Sequence, residues 1–260
     1  IRRCRRKQSP VQQDRFVQSK VFWMFFCCDH YAQSGHASVV RVYYQLLHLI
    51  SDASILQPAD LEGDIYSNAE DEDKSAVHDA TVHLATGELR LLSCNYDVVA
   101  EKSIAKGDFF DKLVLSFFMI MIETFHRALC LYFVARKTKK RKYRIHANKL
   151  RRRIEKWENK RNPNVKHYVP FLEAEQMALN GSWNESSEYY QKAITLASED
   201  GHLLHAALAN ERYAELLSDF LKQQQEASYR LNESIRLYKE WGAVGKVLNL
   251  QARRDDLGLA

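Results

Sequence analysis

The chain has 260 residues, of which 46% are hydrophobic and 27% charged, and its formal net charge is +5. This composition is globular and supplies enough apolar side chains for a sizeable core. Nine glycines and four prolines are few for the many turns of a β-sandwich or β-barrel, so the composition argues against an all-β fold and favours helices. Five cysteines without a CxxC pair argue against a disulfide framework or a zinc ribbon and indicate a reducing compartment.

The start of the chain divides into three segments by composition. Residues 1–20 are polar and basic, and we expect them to be poorly ordered or loosely helical. Residues 21–50 are predicted to form an apolar helical segment, and residues 51–75 an acidic loop. Because the chain begins at Ile1 without an initiator Met, we interpret it as a fragment of a longer protein.

From residue 76 onward, apolar helical patterns alternate with short breaks rich in glycine, asparagine and aspartate. Such breaks are typical of tight turns between helices. They lie at Cys94-Asn95, Gly107-Asp108, Asn162 to Asn164, Gly181-Ser182, Asp200-Gly201 and Asp219 to Lys222. We therefore predict an all-α domain over residues 76–260, built from about four to six antiparallel helical hairpins.

The stretch from Leu113 to Ala135 is the candidate for a membrane span, since about 20 apolar residues are needed to cross a bilayer. Polar residues interrupt this stretch, among them Glu123 and Arg127, which are spaced to pair on one helical face. The basic run after Ala135 nevertheless resembles the cytoplasmic flank of a span. We predict a largely buried helix without a transmembrane span, and a cytoplasmic location.

A pattern of small, large and small residues, at intervals of four and three, recurs along the predicted helices. Small side chains let the two helices of a hairpin approach closely, while a large one fills the groove between units. The candidate packing positions are Ala100, Ile104 and Gly107; Gly181 with Ser186, Tyr190 and Ala193; and Ala227, Leu231 and Ser234. Successive copies lie about 40 residues apart, or about twice that, as in helical-hairpin repeats.

Several motifs in the second half of the chain are similar to those of a known family. They are Leu172-Glu173-Ala174-Glu175, Gly181, Tyr190 with Ala193-Ile194, the helix from Ala206 to Glu215, and Tyr238 with Trp241-Gly242-Ala243. They resemble the tetratricopeptide-like helical region of large AAA-ATPase-linked serine/threonine- or histidine-kinase signalling proteins. The resemblance covers about residues 80–260, although Ser186 and Ser234 stand where most such repeats have alanine.

This resemblance implies a right-handed α-solenoid of stacked hairpins that acts as a non-catalytic scaffold. Such a scaffold would bind a protein partner, or couple other domains of the same chain in signal transduction. Any ATPase or kinase activity would lie elsewhere in a longer parent protein.

The sequence carries none of the common catalytic motifs: it has no P-loop, no GxGxxG, no HExxH and no GxSxG. We therefore predict no catalytic residue, no cofactor and no metal site. Cys27-Cys28 lie at the end of an apolar run without the spacing of an ordinary metal site. Glu199, His202 and His205 share a helical face, but a solvated or interface helix start explains them more simply.

The strongest electrostatic feature is the segment 136–161. It holds fourteen Lys or Arg and two Glu, a net charge of +12 that leaves the rest of the chain at −7. The candidate anion-binding patch consists of Arg136, Lys137, Lys139, Lys140, Arg141, Lys142, Arg144, Lys149, Arg151, Arg152 and Arg153. Ile145, Leu150, Ile154 and Trp157 form a roughly helical apolar stripe in the same segment.

Three interpretations of this patch stay open. It is a solvated face that attracts the acidic residues around 60–73, a site for anionic lipid or another acidic partner, or a nucleic-acid interface. In the last case the chain would be a nucleic-acid-binding adaptor, with Tyr143 and Trp157 available to stack on bases.

Overall fold

The computed structural model describes residues 76–108, 110–113 and 117–256. The predictions for residues 1–75 lie outside this range. Within it the protein is all-helical, as predicted, and no strand occurs in the part that the structure describes. The helices are α1 (Ala76–Leu92), α2 (Tyr96–Lys106), α3 (Phe110–Leu113), α4 (Phe117–Thr138), α5 (Arg141–Asn159), α6 (Tyr168–Asn180), α7 (Trp183–Glu199), α8 (Leu203–Leu216), α9 (Gln224–Trp241) and α10 (Val244–Asp256).

Most of the predicted breaks separate successive helices. A 3-10 turn at Pro163–Val165 joins α5 to α6, and α8 continues as a π-helical segment at Leu217–Leu221, so the last break is confined to the residues before α9. The structure adds a turn at Lys139 (φ +58°), which lets α4 and α5 fold against each other. No glycine or proline marks that turn, so the sequence pattern did not predict it.

Neighbouring helices pack as hairpins: α4 with α5, α6 with α7, and α8 with α9. Further contacts join α7 to α8, α9 to α10 and α4 to α6, so one core runs through the described helices. The buried face of α8 contains Ala206, Ala207 and Ala209. These small side chains allow close approach of the neighbouring helices, which explains why α8 and α9 pack so extensively.

Helix α5 is amphipathic, and its apolar residues lie on the predicted face with one exception. Tyr143, Leu150, Ile154 and Trp157 are buried, and burying each such side chain contributes about 1.5–3 kcal/mol. Ile145 is 52% exposed, so the prediction that it belongs to the apolar stripe is wrong. It lies two residues from Tyr143, which at about 100° per residue places it on the opposite side of the helix.

The turn between α1 and α2 lies against helices that are distant in sequence. The thiol of Cys94 is 3.3 Å from the ammonium of Lys246 in α10, a separation of 152 residues along the chain. The ring of Tyr96 packs on that of Phe133 in α4, with 4.2 Å between centroids. Lys246 also pairs with Glu211 of α8, so α4, α8 and α10 all contribute side chains to this region.

Helix α4 contains much of the stretch considered as a membrane span. The predicted pair between Glu123 and Arg127 is present, with 3.4 Å between nitrogen and oxygen. Both side chains are buried, and Arg127 also donates to the carbonyl of Gly107 and to Asp108. In the described ranges, no helix combines the length and the apolar character that crossing a membrane requires.

Candidate functional site

The predicted packing positions occupy the interior or the helix ends. Ala100, Ser186, Tyr190, Ala193, Ala227, Leu231 and Ser234 are buried, and Ile104 is partly buried. Gly107 and Gly181 follow the ends of α2 and α6 with positive φ, where a side chain would be strained.

The same two hydrogen bonds occur in the α6–α7 hairpin and again in the α8–α9 hairpin. The hydroxyls of Ser186 and Ser234 each donate to a carbonyl of the preceding helix, at 2.8 Å, and Tyr190 and Tyr238 each donate to a buried glutamate. The contacts thus relate Ser186 to Ser234, whereas the sequence spacing predicts a correspondence with Ala227. A hydroxyl that latches one helix to the next also explains why serine stands where alanine is usual.

A buried ion network joins α4, α6 and α8. Glu175 accepts from both Nε and Nη2 of Arg212, at 2.8 and 3.2 Å, and from the hydroxyl of Tyr190 at 2.8 Å. Arg136 lies 3.5 Å from the same carboxylate. Burial alone would raise the pKa of Glu175, but the two guanidinium groups outweigh it and lower that pKa to about 2.

A second buried pair joins α8 to α10. The ammonium of Lys246 is 2.8 Å from Glu211, and both side chains are almost fully buried. Tyr238 donates to the other oxygen of that carboxylate at 2.9 Å. Both networks are internally paired and hold helices together, so their evident role is structural.

The structure divides the predicted anion-binding patch into paired and exposed members. Six of its residues pair with carboxylates: Arg136 with Glu175, Lys137 with Asp97, Lys142 with Glu101, Lys149 with Asp108, Arg151 with Glu155 and Glu173, and Arg153 with Asp111. Four of these seven acids, Asp97, Glu101, Asp108 and Asp111, belong to α2, α3 and the turn between them. A large part of the positive charge of α5 is therefore neutralised within the fold.

The remaining members face solvent. The exposed members are Lys139, Lys140, Arg141, Arg144 and Arg152. None forms an ion pair with a carboxylate of the described residues, although Lys140 is near enough to Glu101 to help lower the pKa of that carboxyl. Of the exposed members, three lie on the outer face of α5 together with Lys156, and we call this face the basic strip: Arg141, Arg144, Arg152 and Lys156. The exposed side chain of Ile145 lies within it, and a shallow groove runs past Ile145, Arg152 and Lys156.

The two aromatic residues proposed to stack on bases are not available for that role. Tyr143 is 3% and Trp157 8% exposed, and both pack into the core beneath α5. The hydroxyl of Tyr143 donates to Glu101, and Arg153 covers the ring of Trp157 at 4.9 Å. The basic strip thus offers cations without an aromatic platform.

The structure also brings together histidines that the sequence keeps apart. His202 and His205 lie beside His167, which precedes α6, and one ring nitrogen from each is within 4.8 Å of the others. Glu199, the third member of the trio in the sequence, is exposed at the end of α7 and does not belong to this group. His167 was missed because no local spacing connects it to α8.

Comparisons of the chain with family models, with curated proteins and with solved structures found no match. The tetratricopeptide-like resemblance therefore stays a prediction from residue motifs. The features that bear on function are the basic strip, the buried networks and the histidine cluster.

Proposed function

We propose that this chain is a helical-repeat scaffold whose basic strip binds an acidic segment of a protein partner or of another domain of the same parent protein. The observation that carries the proposal is the set of exposed cations on the outer face of α5 that form no ion pair with the described residues. The ATPase and kinase parts of a parent protein are proposed from the sequence motifs alone.

The order of helix contacts supports a stacked solenoid. Phe125 of α4 packs on Phe171 of α6 and on His205 of α8, with ring centroids 5.5 and 5.2 Å apart. Helix α8 in turn pairs with α10 through Glu211 and Lys246. Such a row of alternate helices, each backed by the second helix of its hairpin, is the arrangement expected for helical repeats.

The contacts of the α1–α2 turn favour an outer binding surface. Cys94 contacts Lys246 of α10 and Tyr96 packs on Phe133 of α4, and both helices belong to the proposed row of first helices. That side of the stack is thus partly occupied by the chain itself. Helix α5 belongs to the other side, where the basic strip is exposed.

The start of α5 has the charge that an acidic partner would complement. Its first turn carries Arg141 and Lys142 and no acid, although the positive end of the helix dipole disfavours cations there by about 0.3–1 kcal/mol each. Glu101 compensates Lys142, whereas Arg141 has no carboxylate partner among the described residues. Ile145 adds an apolar contact that a peptide side chain can cover.

Nucleic acid fits the same surface less well. Phosphates would be attracted to the basic strip, but the buried Tyr143 and Trp157 leave no stacking contact for bases. Binding of nucleic acid is therefore the alternative outcome of the test.

The test compares a fluorescent acidic peptide of repeating Glu-Glu-Leu with an oligothymidine of equal charge, each titrated with the full chain. We expect salt-sensitive binding of the peptide, weakened about tenfold or more in the double variant R141E/R152E. The matched control is K192E/K239E, which makes the same change of charge at exposed lysines of α7 and α9 and should bind as the unmodified chain does.

Equal losses in the two double variants would show a response to net charge alone and contradict the proposal. Tighter binding of the oligothymidine than of the peptide would favour the nucleic-acid alternative. If neither probe binds at low salt, the proposal that the basic strip binds an acidic segment is contradicted.

A further inference from the structure

Four histidines from three separate parts of the chain meet in the interior. His126 belongs to α4, His167 immediately precedes α6, and His202 and His205 lie at the start of α8. The interval of three residues places His202 and His205 on one side of α8. The packing of α4 on α6, and of α7 on α8, brings these segments together.

The three rings are close enough to share one metal ion. Nε2 of His167 and Nδ1 of His205 are 2.9 Å apart and share a hydrogen bond that a bound ion would replace, and one nitrogen from each of His167, His202 and His205 is within 4.8 Å of the others. Two nitrogens on one tetrahedral zinc ion are about 3.3 Å apart, given Zn–N bonds of about 2.0–2.1 Å. The three ring centroids are separated by 4.3, 4.9 and 5.9 Å, which brackets the roughly 5 Å expected for imidazoles on such an ion.

Several ring nitrogens of the cluster have no hydrogen-bond partner in the part of the chain that the structure describes. Nδ1 of His167 and both nitrogens of His126 are buried and accept or donate no hydrogen bond to the described residues. A buried unsatisfied polar atom costs about 1–3 kcal/mol, so a group of them in one place calls for a ligand. The ring of His126 lies 5.9 Å from that of His205 and faces the same cluster.

Burial keeps these imidazoles neutral at pH 7. Desolvation lowers the pKa of His167 to about 3 and that of His126 to about 4, and the pKa values of His202 and His205 are also lowered. The neutral imidazole is the form that donates its lone pair to a metal ion.

We propose that His167, His202 and His205 bind one divalent transition-metal ion, zinc by preference, with His126 or a water molecule in the fourth position. Three imidazole ligands suit zinc, and such a site tolerates a water ligand. His202 is partly exposed in the turn between α7 and α8, which gives the ion a route from solvent. The bound ion would tie the start of α6 to the start of α8 and so fix two successive hairpins. This inference is independent of the proposed peptide binding.

The test uses the full chain from which a chelator has stripped any bound metal, after the chelator itself has been removed. Titration with Co²⁺ is followed by visible absorption, since tetrahedral cobalt with nitrogen ligands absorbs strongly, and Zn²⁺ is then added in competition. We expect one equivalent of Co²⁺ to bind with tetrahedral bands and to be displaced by Zn²⁺. Zn²⁺ should also raise the unfolding temperature.

The variant H202A removes the most accessible ligand and is the least disruptive to the core. It should weaken Co²⁺ binding at least tenfold, because losing one of three ligands costs at least as much as losing an outer-shell partner. The matched control is H146A on α5, whose imidazole contacts the carbonyl of Lys142 and lies outside the cluster. No tetrahedral cobalt spectrum in the unmodified chain, or an unchanged affinity in H202A, would overturn the proposal. So would a loss in H146A equal to that in H202A.

Discussion

At the scale of single residues, buried charges decide which helices stay together. Glu175 and Arg212 are 1% and 4% exposed, and they form a two-pronged ion pair. Breaking a buried pair by removing one partner is costly, because the charge that is left has lost its compensation. The network therefore orders α6 against α8 more strictly than apolar packing alone would.

The variant E175Q should lower the free energy of unfolding by about 3 kcal/mol at pH 7. The pH dependence has a defined sign. The carboxylate has a folded-state pKa of about 2, below the ordinary value of 4.5, so its contribution is complete above pH 4.5 and is lost as the pH falls toward 2. Urea unfolding of the chain should therefore show a decline in that window that is shallower in E175Q.

The control for this prediction is E188Q, which removes the charge of an exposed glutamate on α7. It should change the stability by less than about 0.5 kcal/mol. If E175Q and the unmodified chain lose stability in parallel between pH 4.5 and 2, the ion pair does not account for the acid sensitivity.

The sequence singled out some of the residues that join neighbouring helices, but it did not predict their partners. Ser186 and Ser234 stood out as departures from alanine, and their hydrogen bonds to preceding helices give the reason. Glu175 and Arg212 lie 37 residues apart, and no periodicity connects them. Pairing between distant charges depends on the packing of helices, which a single sequence does not encode locally.

At the scale of secondary-structure elements, the sequence predicted most of the buried face of α5, but not the turn at Lys139 before it or the exposure of Ile145. The positions of Leu150, Ile154 and Trp157 fix its buried face, and the charges fix its exposed one. What the charges do could not be predicted, because four of the eleven patch residues pair with acids of α2, α3 and the turn between them. The basic strip is the part that this pairing leaves exposed.

The variant R141E should affect stability and binding in opposite directions. A carboxylate in the first turn of α5 interacts favourably with the helix dipole, so the free energy of unfolding should rise by about 0.5–1 kcal/mol. The same change removes a cation from the basic strip, and binding of the acidic peptide should weaken several-fold. Urea denaturation and the fluorescence titration measure the two effects on one preparation.

The control is K192E, in the interior of α7 and exposed, which should leave both quantities unchanged. A loss of stability in R141E would mean that Arg141 has a structural partner and is not free to bind. A gain in stability without weaker binding would remove Arg141 from the proposed surface.

At the scale of the whole molecule, the succession of helices could be predicted, but the contact between the α1–α2 turn and α10 could not. We call that contact the closure. The predicted breaks marked most helix ends, and Gly181 and Gly201 within them have a positive φ that few other residues tolerate. The end of α9 at Gly242 was not among the predicted breaks. The contact between Cys94 and Lys246 spans 152 residues and has no counterpart in any local pattern. A stack in which each hairpin touches only its neighbours would not contain it.

Lys246 of α10 contacts Cys94 in the α1–α2 turn, so its replacement should destabilise both α10 and that turn. In K246M the buried Glu211 keeps the hydroxyl of Tyr238 as its one hydrogen-bond partner among the described residues, and the free energy of unfolding should fall by about 3–5 kcal/mol. Adding E211Q should restore most of that loss, because a buried pair replaced as a unit is nearly neutral. K239M, at an exposed position of α9, is the control and should match the unmodified chain.

Hydrogen exchange distinguishes this closure from a local contact between α8 and α10. If Lys246 holds the α1–α2 turn, amides of α2 as well as α10 should exchange faster in K246M, while those of α7 change less. Faster exchange confined to α10 would mean that the turn is held by Tyr96 and Phe133 instead. Because a double-mutant cycle on Lys246 and Glu211 measures their coupling directly, additive costs would show that each side chain acts alone and that the pair does not hold α8 to α10.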